Sequence, residues 1–243
     1  MNLKSSVTKY APHGIGLWIR ETYAKKKKSI SQMGQDFWVF GEAFNGKESG
    51  FFVEIGSADG IFLNNTFLLE KRFHWRGICV EPNPALFRDL VQVRSARCLN
   101  VCLDAAEGEV EFAPNGLLGG IVGDDTDNRR KPEAPLVSGI MKLKTTTLLS
   151  VLKAEQAPPT IDYLSIDVEG SEDRILNNFP FDEYTFSTMT VERPKQQLRD
   201  VLARRGYKNV REIPNHDVFY VHESFLPVFE KNVFEFWATH ATW

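Results

Sequence analysis

The decapeptide Phe51-Phe52-Val53-Glu54-Ile55-Gly56-Ser57-Ala58-Asp59-Gly60 joins an apolar run to a glycine turn. Phe51, Phe52, Val53 and Ile55 predict a buried β-strand, and Glu54 is the one ionisable residue inside it. Gly56 and Gly60 bracket a tight turn, and an apolar-periodic helix follows through Phe67, Leu68 and Leu69. A carboxylate beside a glycine turn at a strand's carboxyl end suits a nucleoside ligand, because glycine allows close backbone approach and helix N–H groups face the crevice. A glutamate with only a structural role in such a strand needs a partner. None stands nearby in the sequence.

The next strand narrows the ligand. Trp75-Arg76-Gly77 leads into Ile78-Cys79-Val80, which ends at Glu81-Pro82. An acid at the end of the second strand, about 20 residues past the glycine turn, is placed to bind both ribose hydroxyls. A dinucleotide fold shares that acid but carries G-x-G-x-x-G to seat a pyrophosphate, whereas this turn is Gly56-Ser57-Ala58-Asp59-Gly60. Asp59 and Glu54 repel a pyrophosphate and complement a cation such as S-adenosylmethionine, which favours a sulfonium cofactor over NAD.

Further pieces carry a family resemblance. Ser31-Gln32-Met33-Gly34-Gln35-Asp36, VEIGSADG at 53–60, LLEKRFHWRGICVEPNP at 68–84, IDYLSIDVEGSE at 161–172, MTVE at 189–192 and DVFYV at 217–221 fall in order along the chain. Together the set resembles the FkbM-type methyltransferases from about residue 30 to 221. The resemblance implies a Rossmann-like, class I, S-adenosylmethionine-dependent O-methyltransferase, with the DxEG stretch from Asp167 in the active centre. It also implies a sugar of a glycan or glycosylated metabolite as acceptor; a polyketide-type alcohol is the near alternative. An NAD-dependent oxidoreductase and a non-catalytic cofactor-binding protein stay open as readings of another class.

The 243 residues and formal net charge of −3 suit one soluble α/β domain and give no general pull toward nucleic acid or anionic membrane. Lys25–Lys28 is the only dense basic block and reads as a solvated helix face. No apolar stretch approaches a membrane span, no signal-type segment opens the chain, and Cys79, Cys98 and Cys102 read as reduced thiols of a cytoplasmic protein. Monomer and homodimer are both compatible with this.

Strand and helix patterns alternate. Strands are expected at 51–55, 77–81, 97–103, 109–112, 140–144, 163–167, 187–191, 207–213 and 218–222. Helices are expected at about 64–73, 84–92, 148–154, 172–177 and 194–205. The expected organisation is a single domain over 1–243, with a helical lid at 1–50 and a Rossmann-like core at 51–222. The core is a mainly parallel twisted sheet with helices on both faces and an antiparallel edge hairpin. Residues 113–140 are read as a mobile loop over the substrate, its Asp124, Asp125 and Asp127 as solvated, and 223–243 as an aromatic helix.

Chemistry in such a sheet gathers at the strands' carboxyl ends, which carry Glu54, Glu81, Asp104, Asp167 and Glu192. The expected cofactor contacts are Gln35, Asp36, Glu54, Gly56, Ser57, Asp59, Gly60, Asn64, Glu81, Pro82, Val101, Asp104 and Asp167. Gln32, Gln35 and Asp36 fall on one side of an expected helix. An aliphatic hydroxyl needs help to act as a nucleophile. Asp167 and His216, in the turn of the edge hairpin, are the candidate catalytic groups. Asp167 and Glu192 are candidate ligands for Mg²⁺ or Mn²⁺.

Overall fold

The computed structural model describes residues 29–128 and 139–240; Lys25–Lys28 lie outside them. Among the described residues eleven strands form two sheets. The larger has seven strands: β1 (Phe51–Ile55), β2 (Arg76–Val80), β3 (Arg97–Leu99), β8 (Thr160–Ile166), β9 (Thr185–Glu192), β10 (Tyr207–Glu212) and β11 (Asp217–His222). Their spatial order is β10-β11-β9-β8-β1-β2-β3. Pairings from β3 across to β9 are parallel, while β11 runs antiparallel to both β9 and β10. The chain therefore leaves β1 toward β2 and β3, then crosses to β8 on the other side. A crevice opens at that reversal, outside the strands' carboxyl ends.

The linking helices are α1 (Phe67–Phe73), α2 (Pro84–Val93), α3 (Leu148–Ala154), α4 (Glu172–Leu176) and α5 (Gln196–Arg204). Alternate residues of the central strands feed two cores. Val53, Ile78, Leu164 and Met189 meet α3, α4 and α5 on one face. Phe52, Cys79, Tyr163 and Phe219 meet α1, α2 and the N-terminal segment on the other. Such two-sided burial explains the nearly unbroken apolar runs of these strands.

The expected single strand over 97–103 is two. β3 ends at Leu99, and β4 (Cys102–Leu103) belongs to a second sheet, order β4-β7-β5-β6, with β5 at Gly108–Ala113, β6 at Gly120–Ile121 and β7 at Met141–Thr146. Between them the Asn100 amide donates to the carbonyls of Glu81 and Pro82, at 2.8 and 3.1 Å, and turns the chain out of the ladder. The strand read at 140–144 thus joins this smaller, mixed sheet, not the parallel series.

The expected helix through Gln32 and Asp36 also differs. Only Gln35–Phe37 form a helical turn, which widens into a π-helix over Trp38–Ala43. Helix α6 (Leu226–His240) packs on that π-helix: Phe236 covers Gly41, and the Asn232 amide donates to the Ala43 carbonyl at 2.8 Å. Phe234, 75% exposed, faces away.

Candidate active site

Two adjoining cavities lie at the crevice and share Gly56, Ala58, Leu117 and Asp167. Gly56 is required here. Its φ is 87°, and a Cβ would stand 1.9 Å from the Asp167 carbonyl oxygen, so any side chain would part the turn from the end of β8.

The first cavity is mainly apolar. Val80, Pro82, Leu86, Val101, Phe112 and Ile121 line it, with Glu81 and the shared Asp167 as its acids. Glu81 Oε2 accepts the Ala58 N–H at 2.8 Å and Oε1 the Asn83 N–H at 2.7 Å. Each oxygen keeps a lone pair for a further donor. Burial pushes the Glu81 carboxyl up to about 7, against the pull of those two amides. Ser171, 1% exposed, also lines this cavity, and its Oγ has no hydrogen-bond partner among the described residues.

The second cavity is polar, lined by Gln32, Gln35, Glu54, Ser57, Asn64 and Asn65, with Ser165, Asp167 and Glu169. Glu54 is not the unpaired charge that the sequence suggested. Its carboxylate accepts from the Asn64 amide (2.8 Å), the Thr66 hydroxyl (2.9 Å) and the Asn65 N–H (3.1 Å), and lies 3.4 Å from the Arg94 guanidinium. Arg94 also bonds Glu70 at 2.7 Å. The partner was invisible locally because it stands 40 residues further along the chain.

Four other expected cofactor contacts take local roles. Asp36 gathers the Ile30 N–H and the Ser29 and Ser31 hydroxyls. Asp59 Oδ1 accepts the N–H groups of Ile61 and Phe62. Gly60 packs under Leu90 and Arg94. Asp104 is held by both arms of Arg174, at 2.8 and 2.7 Å. None of the four lines either cavity.

Around Asp167, which both cavities share, oxygens of Asp167, Glu169 and Glu192 lie within 4.8 Å of one another, though Glu192 lines neither cavity. Burial, then the neighbouring Glu192, hold the Asp167 carboxyl well above the usual carboxylate range. The turn beyond Asp167 is shaped by Glu172, whose Oε1 accepts the N–H groups of Val168 (2.9 Å) and Gly170 (3.4 Å). Burial pushes Glu172 up to about 8. Glu169 itself sits at φ 56°, a conformation costly for a residue with a side chain. Arg193 touches Glu192 at 2.9 Å, Glu169 at 3.3 Å and Asp127 at 2.6 Å. Asp127 is therefore paired, not simply solvated, and Asp125 lies 3.6 Å from Arg174.

His216 lines neither cavity; its carbonyl accepts the Arg193 N–H at 2.8 Å. The next residue was not singled out in the sequence. Asp217 is buried, opposes Glu192 across β11 and β9, and accepts the Gln35 amide at 2.8 Å. Burial pushes it up to about 6. Gln35 so ties the N-terminal segment to the far rim. Of the segment 113–140, read as a loop over the acceptor, Gly116, Leu117, Gly119, Gly120 and Ile121 line the Glu81 cavity.

The sheet order, the glycine turn and the acid ending β2 fit a Rossmann-like, class I methyltransferase fold. The sequence model described as the Methyltransferase FkbM domain matches residues 54–209, more than half of the chain. The chain belongs to that family. Among solved structures it is similar to a methyltransferase from Pyrococcus furiosus (13% identity, TM-score 0.35, covering 72% of this chain and 76% of that one). It is also similar to fibrillarin from Aeropyrum pernix, crystallised with natively bound S-adenosyl-L-methionine (14% identity, TM-score 0.38, covering 79% and 74%). No curated protein matches the chain. No helix among the described residues is long and apolar enough to cross a membrane.

Proposed function

We propose that this protein is an O-methyltransferase acting on a hydroxyl of a small polar acceptor, a sugar of a glycan or glycosylated metabolite. The observation carrying this reading is the junction of the cavities. There Asp167, shared by both cavities and clustered with Glu169 and Glu192, adjoins a largely apolar cavity whose other carboxylate, Glu81, is buried with lone pairs to spare. The sugar class rests on the family resemblance, with no residue here that names it.

The donor set suits S-adenosylmethionine: an apolar slot for a base, Glu81 for a diol, and polar side chains for an amino-acid end. When bound, that cofactor supplies a methyl group made electron-poor by its sulfonium. The protein's part is then mostly placement, with the acceptor oxygen held in line beside Asp167. Glu192, beside Asp167, would receive the acceptor's proton directly; alternatively Asp167, Glu169 and Glu192 would be the residues to hold a divalent cation, which would supply Lewis acidity toward the hydroxyl. Arg193 already satisfies two of the three, so a cation has to displace or share that contact. His216 is the second reading for the base, favoured by its place in the β10–β11 turn beside Asp217.

The test is methyl transfer from labelled S-adenosylmethionine to a panel of sugars and polyketide alcohols. Turnover abolished by EDTA, restored by Mg²⁺ or Mn²⁺ and lost in Asp167→Asn and Glu192→Gln supports the cation. EDTA resistance with a rate lost in His216→Ala and kept in Glu192→Gln supports the histidine. Native mass spectrometry showing retained NAD, with no S-adenosylmethionine or S-adenosylhomocysteine, would overturn the reading.

A further inference from the structure

We propose that Asn65 is the anchor for the amino-acid end of the bound nucleoside, a reading that rests on the function proposed above. Asn65 ends the loop between the glycine turn and α1 and is only 8% exposed. Its Nδ2 donates to Ser165 Oγ at 2.9 Å, and its N–H is taken by Glu54. Its Oδ1 has no partner among the described residues. Leaving a buried acceptor unpaired is costly, so the position calls for a donor from outside the chain. The residue lines the polar cavity.

The chemistry of that cavity selects the donor. Glu54 is compensated by Arg94, so it is spoken for. Asn64 is likewise committed, its Oδ1 accepting from Phe67, Thr66 and Arg94. Asn65 Oδ1 thus remains as a neutral acceptor, with Asp167 and Glu169 on the same wall. A cationic N–H donor fits both: the oxygen takes a hydrogen bond, and the nearby acids favour the charge. The apolar cavity with Glu81 shares Gly56, Ala58 and Leu117 with this one, so one ligand with a nucleoside at one end and an ammonium at the other spans the pair.

Two probes isolate the contact. S-Adenosylhomocysteine has the amino-acid end; 5′-methylthioadenosine keeps the nucleoside and lacks that end. Calorimetry on Asn65→Leu is expected to show S-adenosylhomocysteine weakened about ten- to a hundredfold, the scale of a hydrogen bond to a charged group. Methylthioadenosine affinity stays within about threefold, which also reports an intact fold. Equal losses for both probes, or none for either, would overturn the assignment. So would a wild-type protein that binds methylthioadenosine as tightly as S-adenosylhomocysteine, a result that needs no variant. A wild-type protein that binds neither probe instead sinks the methyltransferase reading on which this one stands.

Discussion

At the scale of single residues, the acids that end apolar runs were the legible part of the site. Glu81 and Asp167 each close a strand in which a charge would otherwise be a liability, and both line the crevice. Glu81 carries a testable consequence. Its carboxyl is pushed up to about 7 by burial, while a diol donates best to the ionised form. Affinity for S-adenosylhomocysteine should therefore be full above about pH 7.5 and fall as the pH drops, approaching about tenfold per unit. Glu81→Ala should cost about 1.5–3 kcal/mol of that affinity, and Glu81→Gln should flatten its pH dependence. Calorimetry from pH 5.5 to 8.5 checks this, and a Glu81→Gln profile identical to wild type would remove Glu81 from the ligand. Asn65, Ser171 and Asp217 were not legible in the same way. They stand among other polar residues, and only the fold shows which of them is buried without a partner or placed beside the acids.

Elements divide along the same line. Long, strongly patterned segments come out where the periodicity puts them: β1, α2 and α3 begin where expected, α3 with Thr147 capping it through Ser150. The smaller sheet did not, because two of its strands are only two residues long. A pattern needs several repeats before a period can be read. The consequence falls on residues 116–121. A loop over the acceptor alone should leave cofactor binding intact, but this turn walls the Glu81 cavity. Gly120 lies against Asn128 and Glu169 with no room for a Cβ. Replacing 116–123 by a Gly/Ser linker removes Leu117 and Ile121 from that wall. It should weaken S-adenosylhomocysteine binding by about tenfold or more, since burying one such side chain is worth about 1.5–3 kcal/mol. An affinity within threefold of wild type, with turnover lost, would return the segment to the acceptor.

Across the whole molecule the central tie is Arg94, which no local pattern marks because its partners come from β1 and α1. Its guanidinium, fully buried, reaches Glu54, Glu70, Asn64 and Thr66 and so pins α2 to the elements that shape the glycine turn. Breaking a buried pair by removing one member is costly, so Arg94→Met should destabilise by about 3–5 kcal/mol in urea titrations. The pH dependence gives a sharper sign. For Glu70, burial opposes ionisation, but Arg94 and the bonds from Lys71 and Ser95 outweigh it, and the carboxyl falls from 4.5 to about 2. A depressed folded value gives stability that is complete above about pH 4.5 and lost as the pH falls toward 2. Glu81, Glu172 and Asp217 are raised, to about 7, 8 and 6, so the ligand-free fold instead gains stability as they take up protons between about pH 8 and 4.5. Wild-type stability should therefore peak near pH 5 and drop on the acid side. In Arg94→Met the drop should flatten, because buried Glu70 then keeps only Lys71 as a cation and is protonated more readily. Equal acid limbs in the two proteins would show that Arg94 does not hold Glu70 in its charged state.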